Sequence, residues 1–148
     1  MSNTLVIPYS TTIHIKDTCL CLHAQRAARA LARRFDTALK PTGLTNQQFS
    51  LMMALNRPEP PGMGPVARLL AMDRTTLTAA LKPLAARGWV SVEPDPKDKR
   101  GKLLKLTDEG MTALSQAAPI WAAVHGEIEA GMTSDPHLLR QGLLEVSR

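Results

Sequence analysis

A chain of 148 residues, 44% hydrophobic and 21% charged, has the length and composition of one globular domain with a sizeable core. Only 3% is aromatic, so the core must come from Leu, Ala, Val and Met, which favours packed helices and argues against a β-sandwich. The net charge of +5 lies wholly between Arg68 and Lys105, where nine Lys/Arg face four Asp/Glu while the rest balances nine against nine, a distribution suited to gripping phosphates.

Residues 1–17 are rich in β-branched and turn-forming types (Ser10-Thr11-Thr12-Ile13-His14-Ile15), which predicts an extended arm. The first nine show neither a basic leader nor a cleavage pattern, and no run of 18 apolar residues follows, so a cytoplasmic protein with no membrane contact is expected. From Thr18 to about Lys40, Ala24, Ala27, Ala28, Leu31, Ala32, Phe35 and Leu39 recur at helical spacing, opposed by Gln25, Arg26, Arg29, Arg33 and Arg34. That spacing predicts one long amphipathic helix ended by Pro41 and Gly43. Cys19 and Cys21, one residue apart within it, are too close for an ordinary structural bridge, consistent with a reducing compartment. Thr45-Asn46-Gln47-Gln48 is a capping box opening a second helix through Phe49, Met52, Met53 and Leu55, almost wholly apolar and hence buried.

Glu59 to Pro65 reads as a loop, followed by a short helix, Val66 to Leu70, and a Met72-Asp73 turn. The next helix has Asp73 as N-cap, Leu77, Leu81 and Leu84 as its inward stripe, and Gly88 as its stop. At about 100° per residue the opposite face carries Thr75, Thr78, Ala79 and Lys82, with Arg74 and Thr76 on the first turn. Short hydroxyls and a few cations suit an element that lies against base edges and phosphates. These two helices form a helix-turn-helix pair.

Trp89-Val90-Ser91-Val92-Glu93 and Lys102-Leu103-Leu104-Lys105-Leu106 alternate as two short strands. Between them Pro94 to Gly101, with two prolines and a terminal glycine, is expected to stop regular pairing and form an exposed basic tip carrying Lys97, Asp98, Lys99 and Arg100 beside Lys102. Thr107-Asp108-Glu109 then caps a long helix through Met111, Leu114, Ala118, Trp121, Val124 and Ile128, with a kink expected at Pro119. Asp135-Pro136 opens a last amphipathic helix with Leu138, Leu139, Leu143, Leu144 and Val146. Both ends of the chain offer more apolar surface than one small module can bury, which predicts a helical homodimer interface.

With these elements placed, the chain resembles the MarR (multiple-antibiotic-resistance regulator) family over roughly residues 18–148. The resemblance is carried by Gly43-Leu44-Thr45 with Gln48-Phe49, by Asp73 to Thr78, by Leu84 to Val90, and by Asp98 to Gly101 through Leu106 to Gly110. It implies a mainly α fold with a small β-hairpin wing, a winged helix-turn-helix at 45–107, and dimerisation helices at 1–44 and 108–148, all within one 1–148 domain. It further implies a repressor that binds double-stranded DNA at a pseudo-palindromic operator, with a pocket for a small organic effector between its dimerisation and DNA-binding parts. By position Asp98 would brace the wing and Arg100 enter the minor groove, while Thr75, Thr76 and Thr78 face the major groove. Family pockets often take aromatic anions, which makes Arg29, Phe35 and Trp121 the expected lining.

Nothing in the chain reads as an enzyme, a cofactor site or a metal site: His14, His23, His125 and His137 are scattered, Cys19-Leu20-Cys21 lacks a second pair, and there is neither a nucleophile elbow nor a phosphate-cradling glycine loop. The alternative to an organic effector is a redox trigger. Organic-hydroperoxide sensors of the family carry a reactive cysteine near the start of the first helix, where Cys21 stands, with Cys19 beside it. Gln25, Phe35 and Asn46 occupy the positions where such sensors have tyrosines, so any thiolate donor would have to come from other residues, such as His23 or Arg29.

Overall fold

The computed structural model describes residues 5–148; Met1 to Thr4, the start of the expected arm, lie outside the described residues. Among the described residues there are seven α-helices and one two-stranded antiparallel hairpin, and they divide into two compact units, one running up to residue 34 and the other covering 35–148.

In the first unit the expected extended arm is helical from Tyr9 onward: α1 spans Tyr9–Thr18. The β-branched composition differs from good helix formers by only a few tenths of a kcal/mol per residue, too little to exclude a helix, and within it Thr18 Oγ1 donates to the His14 carbonyl at 2.6 Å. The long helix expected from Thr18 begins instead at Leu20, because Cys19 is extended (φ −68°, ψ 110°). Cys19 serves both helices, its N–H donating to the Ile15 carbonyl and its carbonyl accepting the His23 N–H. α2 runs Leu20–Leu39 and a 3₁₀ turn, Lys40–Thr42, ends at Gly43, whose φ of +76° is one that L side chains adopt with strain.

The second unit holds the core. α3 (Asn46–Leu55) starts with the capping box read from the sequence, Thr45 exchanging bonds with Gln48. Its first residue, Asn46, also donates backbone N–H and side-chain Nδ2 to Asp36 Oδ1 at 2.7 and 2.8 Å. α4 (Met63–Leu70) starts three residues earlier than expected, with Pro65 in its first turn where the missing N–H costs nothing. Ala71 takes a left-handed conformation (φ 52°) to turn the chain into α5 (Arg74–Ala86). Leu77, Leu81 and Leu84 are buried as their spacing predicts. Pro83 is accommodated within α5: the Ala79 carbonyl loses its helical donor, but Ala79 is exposed and water can replace it. The Trp89 N–H bonds to the Leu84 carbonyl and the Gly88 N–H to the Ala85 carbonyl, with Gly88 left-handed at φ +76°, closing α5 with a Schellman turn.

β1 (Val90–Asp95) and β2 (Asp98–Leu106) pair from Val90 opposite Leu106 out to Asp95 opposite Asp98. This corrects the expected eight-residue loop, since pairing passes through Pro94 and only Pro96 and Lys97 form the turn. Both strands of a two-stranded hairpin are edges, where proline is tolerated. The Leu104 N–H also bonds to the Pro61 carbonyl at 2.8 Å, so the loop before α4 backs the hairpin. α6 (Asp108–Ala130) continues through Pro119, and its buried face is Gly110, Ala113, Leu114 and Ala117. Of the stripe expected there, Leu114 is inside, whereas Met111, Ala118 and Trp121 are exposed, because the small side chains are the ones that let α6 approach the rest closely. α7 (Pro136–Val146) has no buried residue, and its five large apolar side chains are 45–64% exposed.

Candidate nucleic-acid interface

Asp73 sets the reading helix by accepting the Thr76 N–H at 2.7 Å, a charge-assisted bond that holds its carboxyl below the ordinary aspartate range. With the leucine stripe buried, the outward face is fixed. Arg74, Thr75, Thr78, Ala79 and Lys82 form one shallow surface of about 330 Å³ along α5. Thr78 Oγ1 donates to the Arg74 carbonyl, 2.8 Å, which leaves its oxygen lone pairs turned outward as acceptors.

The wing tip is shaped by its two aspartates. Asp95 Oδ1 accepts the Lys97 N–H at 2.9 Å and Asp98 Oδ1 accepts the Arg100 N–H at 3.0 Å. Since Pro94 pairs with Lys102 and the next pair is Asp95 with Asp98, Lys99, Arg100 and Gly101 bulge from β2 without partners on β1. Gly101 packs against this turn: a Cβ built on it would lie 3.3 Å from that of Asp95.

Helix and wing enclose a cleft of about 640 Å³ that brings Arg74, Thr78 and Lys82 of α5 together with Asp98, Arg100 and Lys102 of β2. Its floor includes Leu81 and Val92, read from the sequence only as packing residues, and Met63 and Pro65 of α4, which sequence reasoning left in a loop because apolar residues at the start of a short helix carry no chemical signature. Thr75 lies on the adjoining surface, and Thr76, Lys97 and Lys99 are exposed without lining either hollow. None of these Lys and Arg side chains has an ion pair among the described residues, and in the cleft four cations, Arg74, Lys82, Arg100 and Lys102, outnumber two carboxylates, Asp95 and Asp98. Arg87, counted with the basic footprint, does something else: its Nη1 donates to the Gly43 carbonyl at 2.7 Å and its guanidinium lies 4.5 Å over the Trp89 ring.

The residues expected to serve an effector lie in different surroundings. Arg29 is exposed on α2, Phe35 is half-buried against the core, and Trp121, 39% exposed, stacks on Phe49 and His125 with centroids 6.4 and 4.7 Å apart. Cys19 is half-buried and Cys21 exposed, both as free thiols. Cys19 Sγ accepts the Leu22 N–H at 3.4 Å, and Gln25 Nε2 donates to Cys21 Sγ at 3.3 Å. No group of three or more His, Cys, Asp or Glu capable of holding a metal occurs among the described residues, and no helix described is long and apolar enough to cross a membrane.

A helix-turn-helix whose second helix presents hydroxyls and unpaired cations, flanked by a basic β-wing, defines a winged-helix DNA-binding regulator of transcription. The MarR family model matches residues 44–102. Over 104 residues the chain is 30% identical to the multiple antibiotic resistance protein MarR of Escherichia coli, with 70% of this chain and 72% of MarR covered, and it belongs to the MarR family. It is 32% identical to the transcriptional activatory protein BadR of Rhodopseudomonas palustris, covering 70% of the chain and 61% of BadR's length. Among solved structures it is similar to the M. tuberculosis transcriptional regulator MosR in complex with DNA (35% identity, 88% and 94% of the two chains, TM-score 0.80). It is also similar to CouR of Rhodococcus jostii bound to p-coumaroyl-CoA (25% identity, 88% and 93%, TM-score 0.75). Regulators of the MarR family bind DNA, as MosR does in its solved complex.

Proposed function

We propose that this protein is a repressor that binds a pseudo-palindromic operator as a homodimer and leaves it when a small organic effector binds. The observation that carries the reading is the cleft between α5 and the wing, where Arg74, Thr78, Lys82, Arg100 and Lys102 converge without ion-pair partners. Thr75, Thr76, Thr78 and Arg74 serve the major groove, the Asp98-braced Arg100 serves the minor groove, and Lys82, Lys97, Lys99 and Lys102 attract phosphates. Segments 1–44 and 108–148 supply the dimer contacts around the winged part at 45–107, in keeping with the exposed apolar side chains of α7 and of the segment Leu5 to Tyr9. Likeness to CouR, a transcriptional repressor solved on a DNA duplex and with p-coumaroyl-CoA, supports an organic effector and a repressing sign, while BadR is an activatory protein. Arg29, Phe35 and Trp121 are our candidates for effector contacts.

Sedimentation and footprinting test the reading. One reading helix per subunit and two-fold symmetry require a dimer protecting paired half-sites about 10 base pairs apart. A monomer, or protection of a single half-site, would overturn it.

A second trigger is favoured by one observation, the Gln25 amide donating to the exposed Cys21 Sγ in the first turn of α2. That bond supplies from a glutamine part of what a tyrosine would supply at the same position. In this reading an organic hydroperoxide oxidises Cys21 and the dimer releases DNA.

A further inference from the structure

The first unit holds a concentration of charge that neither the reading helix nor the wing uses. Between Thr18 and Phe35 there are four arginines and no acid. Arg26, Arg29 and Arg33 fall within about 60° of one another around α2, at about 100° per residue. With His23, Ala27 and Ala30 they form one open patch along α2, the alanines lying low between the longer side chains. The three arginines are exposed and have no hydrogen-bonded or ionic partner among the described residues, whereas the His23 ring is tied to the Cys19 carbonyl at 2.7 Å.

A helix gains nothing from this arrangement. Arg29 and Arg33 are four residues apart and Arg26 and Arg29 three apart, spacings at which like charges destabilise. The guanidinium fork matches phosphate oxygens two at a time, and small alanines between the forks let a ligand approach the helix backbone. From Arg26 to Arg33 the helix rises about 10 Å, more than one carboxylate or one phosphate can bridge.

We propose that the Arg26, Arg29 and Arg33 face of α2 binds the oligophosphate portion of a nucleotide-type ligand, so that the effector is an organic acid carried on such a tail rather than a free acid. This rests on the effector reading given above. Coenzyme A itself is the probe, titrated by calorimetry into the full-length protein and into the triple variant Arg26→Gln, Arg29→Gln, Arg33→Gln, with inorganic phosphate as the control anion and operator affinity measured in parallel. Coenzyme A should bind the wild type and bind the triple variant at least tenfold more weakly, with inorganic phosphate much weaker on both and operator affinity unchanged. Equal binding by wild type and variant, no binding to the wild type, or phosphate as strong as coenzyme A would overturn the proposal. A triple variant that loses operator affinity with a flatter salt dependence would also overturn it, by assigning this face to DNA. If coenzyme A binding depends on the arginines but neither it nor its aromatic thioesters release DNA, the anion site stands and the effector reading falls. If a free aromatic acid releases DNA equally from both proteins, the effector reading stands and the anion site falls.

Discussion

Gly110 lies so close to Trp89 that a Cβ built on it would sit 2.0 Å from the Trp89 carbonyl oxygen. That carbonyl accepts the Thr107 N–H at 3.1 Å, and Thr107 in turn donates its hydroxyl to the Gly88 carbonyl and caps α6 through the Gly110 N–H. The start of the wing and the start of α6 are therefore locked together through backbone, with no flexible side chain to move aside. Gly110→Ala should lower stability by about 3 kcal/mol, since overpacking against backbone forces an element to shift. Thermal unfolding checks it, and a loss below about 0.5 kcal/mol would show that α6 can move away.

In the wing, Arg100→Ala should weaken operator binding by about 1–3 kcal/mol, because an arginine presented by a bulge and braced through Asp98 can enter a narrow minor groove. Lys97→Ala, in the two-residue turn, should cost less and act mainly through salt. Affinity measured across a salt series should lose about one unit of slope for each phosphate contact removed. Equal and small effects would take the wing out of the interface.

Asp73 gives the reading helix a pH dependence whose sign follows from its bond to the Thr76 N–H. Its folded carboxyl titrates below its unfolded value, so it contributes stability that is present above the ordinary aspartate range and lost as pH falls through the folded value. Asp73→Asn keeps an N-cap and should remove that part of the acid dependence, whereas Asp73→Ala should destabilise at neutral pH and differ little from wild type in acid. Parallel melting curves from pH 7 down to 3 separate the two.

For the trigger, treatment with stoichiometric organic hydroperoxide should leave operator affinity within about twofold, as expected for a thiol with a single amide donor and no tyrosine at its flanks. A loss reversed by added thiol, abolished in Cys21→Ser and kept in Cys19→Ser, would instead establish the redox trigger.

What the residues determined by themselves was local. Asp73, Thr45, Thr107 and Gly88 stand where the structure uses them, because caps and stops depend on side chains within a few residues. The leucine stripe of α5 was legible from spacing, and with it the outward face bearing Thr75, Thr78 and Lys82. Tertiary structure alone decided the rest. The residues at 9–18 are an exception: they read as extended yet form a helix that buries none of them, since propensity differences there are small. The wing pairs past Pro94 because Asp95 and Asp98 tie the turn and Pro61 backs β2, contacts that no alternation pattern contains. Gly110 had no special reading in the sequence; its importance comes from a backbone carbonyl twenty-one residues away along the chain. Likewise Arg87 looks like one more cation of a basic segment until Gly43 and Trp89 are seen to engage it, because a charge's role is set by what the fold brings within reach.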